Sequence, residues 1–258
     1  MSISFFLLIF LIGFIGSFLS GLVGIGGSII KYPMLLYIPP LLGFASFTAH
    51  EVSGINAIQV LFASIAGAFA YRKGGFLNRS LIVYMGTGIL AGSFLGGYVS
   101  HFLPEQGIHF VYAILATLAA VMMLLPKKND DNIANESVTF NKPLALALSG
   151  LVGFGAGIVG AAGAFLLVPI MLVILKIPTR MTIASSLVIT FISSIGTAAS
   201  KIATGQVSFW PSVIMVIASV IASPLGASIG KKMNTKGLQW ILAILIFATA
   251  AKIWFDLF

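Results

Sequence analysis

The residues able to do chemistry in this chain are few, and their types favour binding over bond-making. Cysteine is absent, so there is no thiolate nucleophile, no disulfide and no Cys-based metal site. The three histidines are His50, His101 and His109, and two of them flank one short loop. Three of the six carboxylates fall in a single polar stretch, so no acidic cluster forms from sequence. A membrane-embedded enzyme would need a nucleophile with its base, or convergent metal ligands. No GxxxxGK[ST] loop is present, which argues against ATP hydrolysis. No cofactor and no resident metal is implied.

What remains is a set of groups suited to holding an anion. Two glycine-rich breaks interrupt apolar stretches, GLVGIGGSIIKYP and GIVGAAGAFLLVP. A turn in water would usually carry Asn, Asp, Ser or Lys, whereas these are apolar. Such backbone is expected at membrane depth only where it packs inside protein or lines a cavity. Glycine at Gly24, Gly26, Gly27, Gly160 and Gly163 would let the backbone approach a ligand and leave helix N-terminal N–H groups free for an anion. Close helix packing through small residues is the alternative.

Lys31 lies four residues after Gly27, within an apolar segment, and an ionisable residue there is a functional candidate by default. It would offer a positive charge to a bound anion, or would snorkel to an interface if the segment spans fully. Farther on, Thr182, Ser186, Thr190, Ser193 and Thr197 share an arc of roughly 80° on a helix. A weaker counterpart runs through Ser53, Asn56, Ser64 and Gly67. Asn56, Ser186 and Thr190 are the substrate-binding candidates, although such hydroxyls also bond neighbouring helices. Glu51 is a proton-coupling candidate near the membrane, projecting away from the stripe together with His50.

These groups must be carried by helices in lipid. Of 258 residues, 59% are hydrophobic and 8% charged, too apolar for a soluble fold of this length. With about 20 apolar residues needed per crossing, ten segments are expected, at about 3–22, 27–42, 51–71, 79–101, 107–125, 143–159, 161–176, 182–200, 209–230 and 237–256. The N-terminus has no basic region before its apolar run and reads as a retained segment, not a cleaved signal. The net charge of +8 resides in short loops, so it reads as an orientation signal and not as nucleic-acid binding.

The sequence repeats. Gly21-x-Val23-Gly24-x-x-Gly27-x5-Pro33 recurs as Gly157-x-Val159-Gly160-x-x-Gly163-x5-Pro169, an offset of 136. Ser64 and Ser194, Gly75 and Gly205, Ser93 and Ser223, and Gly96 and Gly226 match at an offset of 130. The expected units are a membrane repeat over 1–125, a cytoplasmic linker over 126–142 and a second membrane repeat over 143–258.

Five segments per half is an odd number, so the halves should be inverted. Alternating all ten segments places eleven of the fourteen basic residues on one side, with Lys201 and Lys252 on the other. Merging each Gly-broken pair into one crossing instead splits the loop charges seven against five, without bias. Positive charge favours the cytoplasm, so both termini are expected outside and the linker inside. This count does not separate Gly-broken pairs that span from pairs that dip in and return. The expected fold is therefore an all-α membrane protein of two inverted five-segment repeats, each opening with a Gly-broken helix pair.

The duplicated Gly-rich element followed by Pro, at Gly24–Pro33 and Gly160–Pro169, resembles that of the TauE/SafE sulfite exporter family, also called toluene-sulfonate uptake permeases. The resemblance runs over both halves and includes Gly75 and Gly205. Ala161 and Ala162 depart from the usual glycine run, and Lys31 stands where the family usually has an apolar residue. The resemblance implies a secondary carrier of small, often sulfur-containing anions in the bacterial inner membrane. Its partners would be a small anionic solute and the lipid bilayer. A membrane subunit or scaffold of a larger complex is the second class, but it would not require paired glycine breaks.

Overall fold

The computed structural model describes residues 3–23, 28–71, 77–124 and 140–230, with scattered positions beyond Gly230. These residues form helices α1 (Ile3–Val23), α2 (Ser28–Leu41), α3 (Ala49–Tyr71), α4 (Arg79–Val99), α5 (Glu105–Leu124), α6 (Lys142–Val159), α7 (Ala164–Pro169), α8 (Thr179–Ala203) and α9 (Phe209–Gly230). No strand occurs among them. Nine expected segments thus coincide with helical stretches to within a few residues. The tenth, about 237–256, falls largely outside the described residues. From it, Lys252 places its ammonium 4.5 Å from the centroid of the Tyr37 ring, and Trp254 Nε1 donates to Thr117 Oγ1 at 2.7 Å.

Among the described residues, six helices are long and apolar enough to cross a membrane: α1, α4, α5, α6, α8 and α9. Their outer faces present bare apolar side chains, such as Leu7 and Leu11 on α1, Phe94 and Leu95 on α4, Leu118 on α5 and Ile221 and Leu225 on α9. Lipid accepts this surface. Helix α3 is also long and largely apolar. The helix starts are set by side chains. Asn78 Oδ1 accepts from the Leu81 N–H and Asn141 Oδ1 from the Leu144 N–H, each at 3.0 Å. Pro169 has no N–H to donate, and after it the chain completes a π-helical turn over Ile170–Ile174.

Small residues set the helix crossings. A Cβ on Gly88 would meet the Leu146 carbonyl oxygen at 2.4 Å, on Gly92 that of Gly150 at 2.1 Å, and on Gly96 that of Phe154 at 1.8 Å. Helices α4 and α6 therefore touch backbone to backbone and run parallel. The same applies to α1 and α9, where Gly13 faces Met215, and Gly226 and Gly230 lie against Phe18 and Leu22. Helix α3 runs with α9, since Glu51 meets Ser208 and Ala63 meets Ser223. Helix α4 runs with α8, since Asn78 meets Ser185 and Gly97 faces Ser200. The start of α3 meets the end of α8 through Ser53 and Lys201. Thus α1, α3 and α9 point one way and α4, α6 and α8 the other.

The centre belongs to α3 and α8. About 78% of α8 is buried, against 33–50% for the other five spans, so α8 is the least lipid-exposed of these six. Substituting Gly92→Leu should drive a side chain into the α6 backbone and cost on the order of 1–3 kcal/mol. Thermal unfolding in detergent should show a lower midpoint for Gly92→Leu. Gly107→Ala, where the nearest atom to an added Cβ is 3.6 Å away, should leave the midpoint unchanged.

Candidate functional site

The site is built on one face of α3. Ser53, Asn56 and Gln59 follow at intervals of three residues, so each lies about 4.5 Å above the last along the axis. All three are fully buried. Ser53 is turned to α8, Gln59 to α1 and α2, and Asn56 projects between them.

Gln59 meets Lys31. The Lys31 ammonium donates to Gln59 Oε1 and, at 3.4 Å, to Ser17 Oγ, while Gln59 Nε2 donates to the same Ser17 hydroxyl at 2.9 Å. Lys31 has zero exposure, and its stem packs where Gly16 leaves room, since a Cβ on Gly16 would overlap Lys31 Cγ at 2.2 Å. The side chain does not snorkel out. With two acceptors for three N–H bonds and no carboxylate in reach among the described residues, its shell is incomplete.

Ser53 meets Lys201, the second fully buried lysine. Its ammonium donates to Ser53 Oγ at 2.8 Å, Ser100 Oγ at 2.6 Å, Gln206 Oε1 at 2.8 Å and the Ile158 carbonyl oxygen at 3.2 Å. Reading alternate segments assigns Lys201 to an outer loop. The structure corrects this, placing it in the final turn of α8, inside the protein. The reason is local: α4, α6 and α8 all end here, and their last carbonyls and partial negative charge favour a cation.

On α3 and α8 the polar complement is partly unfilled. Among the described residues, the buried side-chain polar atoms without a partner are Asn56 Nδ2 and Oδ1, Thr190 Oγ1 and Ser193 Oγ. All four belong to α3 and α8. A buried polar atom left unpaired costs about 1–3 kcal/mol, and native interiors contain few. Here four such atoms fall on two facing helices.

The remaining members of the expected α8 stripe are buried and bonded to backbone. Thr182 donates to the Ile177 carbonyl, Ser186 to Ile183 and Thr197 to Ser193. On α3, Ser64 donates to the Val60 carbonyl.

The second glycine break is a buried left-handed turn, with φ of +76° at Gly160 and +72° at Gly163. Gly160 lies so close to α3 that a Cβ would sit 1.9 Å from the Ser53 carbonyl oxygen. Its residues thus press on the Lys201 cage and approach backbone. Gly24, Gly26 and Gly27 lie outside the described residues.

Glu51 forms a capping box at the start of α3: its carboxylate accepts from the Thr48 N–H at 2.9 Å and the Thr48 hydroxyl at 3.1 Å. It also accepts from Ser208 at 3.3 Å. With His50, His101 and Gln206 it lines a cavity of about 390 Å³ at the Lys201 end.

Gln59, Lys201 and Gln206 escaped the sequence reading. Gln59 continues the Ser53–Asn56 spacing, and Lys201 continues the Ser193–Thr197 spacing by one turn, so a stripe extended to all polar residues would have included both.

Lipid-facing helices closed around a polar interior are the build of a multi-pass membrane transporter. The comparisons agree, because the family described as sulfite exporter TauE/SafE matches residues 9–253, and the chain belongs to that family. It is 24% identical to the probable membrane transporter protein YunE of Bacillus subtilis (strain 168), over 97% of this chain and 98% of the relative. It is 26% identical to a probable membrane transporter protein of Methanocaldococcus jannaschii, over 93% and 91%. A third, from Xylella fastidiosa (strain 9a5c), is 30% identical over 68% of this chain and 65% of its own length. No solved structure matches significantly.

Because Asn56 makes no bond in this state, Asn56→Leu should remove a desolvation penalty. The unfolding midpoint should rise, by the equivalent of about 1 kcal/mol. A fall would mean that the amide is already satisfied.

Proposed function

We propose that the protein carries a small anion across the membrane, bound between α3 and α8 beside Lys31, Asn56, Ser193 and Thr190. The observation that carries this reading is a buried ammonium without a carboxylate among the described residues, in a bundle whose central helices α3 and α8 hold buried polar groups without partners. An ammonium in a low-dielectric interior is costly unless paired. A small oxyanion would complete Lys31 and accept from Asn56 Nδ2, Thr190 Oγ1 and Ser193 Oγ. Asn56 Oδ1 would take a water or an O–H of the substrate. Ser186, one turn from Thr190, would extend the path, and the glycine breaks at Gly24–Gly27 and Gly160–Gly163 would supply the hinges. Family membership favours sulfite, a sulfonate or a related anion as substrate.

The carrier works as two inverted halves in this reading. Helix directions support it: α1, α3 and α4 run opposite to their repeat counterparts α6, α8 and α9. Pairings support it too, because α1 with α9 corresponds to α6 with α4, and α3 with α9 to α8 with α4. Alternating access would rock one half against the other around the α3–α8 seam. The bias of the basic loops supports an orientation with the Lys201 end facing away from the cytoplasm of a bacterial cell. The coupling ion would be a proton through Glu51 only if its cap on α3 opens.

Purified protein in liposomes, offered radiolabelled sulfite, sulfonates and carboxylates, tests the function. Lys31→Leu should cut the flux of the accepted anion about 10- to 100-fold, the worth of one charged hydrogen bond. Wild-type flux in that variant would show that Lys31 is structural. Flux of none of these anions would favour a scaffold. Orientation is tested on the Cys-free chain: His101→Cys should react with an impermeant thiol reagent in intact cells, and Arg180→Cys only after lysis.

A further inference from the structure

The Lys201 cage has features that the central site does not explain. It sits at one end of the bundle, directly behind the wall of the 390 Å³ cavity. Gln206 is the residue between them. It lines the cavity, is 8% exposed, and gives its Oε1 to the Lys201 ammonium at 2.8 Å. The same oxygen is 3.3 Å from His50 Nδ1 and 3.4 Å from Ser100 Oγ. Every acceptor around Lys201 is neutral: two hydroxyls, one amide and one backbone carbonyl. The one carboxylate on the cavity wall, Glu51, is engaged by Thr48 and Ser208.

We infer that Lys201 is an outer subsite for a small oxyanion, which enters the cavity and displaces Gln206 from the ammonium. A charged oxygen makes a stronger bond to an ammonium than a neutral amide oxygen does, and the difference grows where water is scarce. Ser53 and Ser100 stay in place as acceptors from the ammonium, their own O–H groups donating to the His50 and Gly97 carbonyls. His50, released from Gln206, adds a further N–H. The exchange also frees the loop after α8, since Gln206 ties that loop to Ser100 at the end of α4. From Ser53 to Gln59 the rise along α3 is about 9 Å, so an anion leaving Lys201 passes Asn56 on the way to Lys31. The inference rests on the anion-carrier reading, but its site lies apart from Lys31.

The test uses the exposed cavity residue His101, replaced by Cys in the otherwise Cys-free full-length protein in nanodiscs. Labelling by an impermeant maleimide is followed against sulfate, methanesulfonate and acetate. At least one of the three should protect the thiol. Lys201→Gln should abolish the protection. Gln206→Ala, which removes the competing amide, should lower the half-protecting concentration about three- to tenfold. A merely structural cage gives no such tightening. Should Lys201→Gln fail to fold, Gln206→Ala decides alone, since unchanged or weakened protection overturns the subsite. Protection that survives Lys201→Gln overturns it as well, and so does the absence of protection by all three anions. Lys31→Leu flux in liposomes then stands as the separate test of the carrier itself.

Discussion

A positive charge without a negative one, held out of water, is the constraint around which this molecule is arranged. Lys31 and Lys201 are both fully buried, and neither has a carboxylate in reach among the described residues. Lys201 is offset by four neutral acceptors and by the ends of three helices. Lys31 has only Gln59 and Ser17. Desolvating an ammonium costs several kcal/mol, so Lys31 remains a half-built ion pair.

The remaining architecture follows from housing that half-built pair in lipid. Apolar side chains face outward, and the hydroxyl-rich faces of α3 and α8 face each other. Backbone contacts at Gly88, Gly92 and Gly96, and at Gly226 and Gly230, bring neighbouring helices close enough to exclude lipid from the seam. At the α6–α7 break, Gly160 does the same against Ser53. Glycine there serves proximity, and proximity is what fixes the Lys201 cage. The chain thus places close crossings at its periphery and unsatisfied polar groups at its centre.

Much of this was legible before any coordinates. Segment positions followed from hydropathy, because a crossing needs a fixed length of apolar chain. The small-residue crossings of α4 and α9 lie in the sequence as a four-residue spacing, at Gly88, Gly92 and Gly96 and at Ala222, Gly226 and Gly230. Lys31, Asn56 and Thr190 stood out because polar groups in apolar segments are costly. Lys201 did not, because charge counting treats any basic residue near a segment end as a loop residue. Its burial depends on three helices ending together, and no single segment encodes that. Gln59 lies on the Ser53–Asn56 spacing but gains its meaning only from Lys31, 28 residues away, and Gln206 gains its meaning only once Lys201 is known to be buried.

Crystals of the protein grown with selenate, a heavier oxyanion of the same shape as sulfate, allow the guest to be located by anomalous scattering. The account predicts a peak between α3 and α8 within hydrogen-bond reach of Lys31 Nζ and Asn56 Nδ2. A seam packed dry around Lys31 and Asn56, with selenate confined to the protein surface, would contradict it.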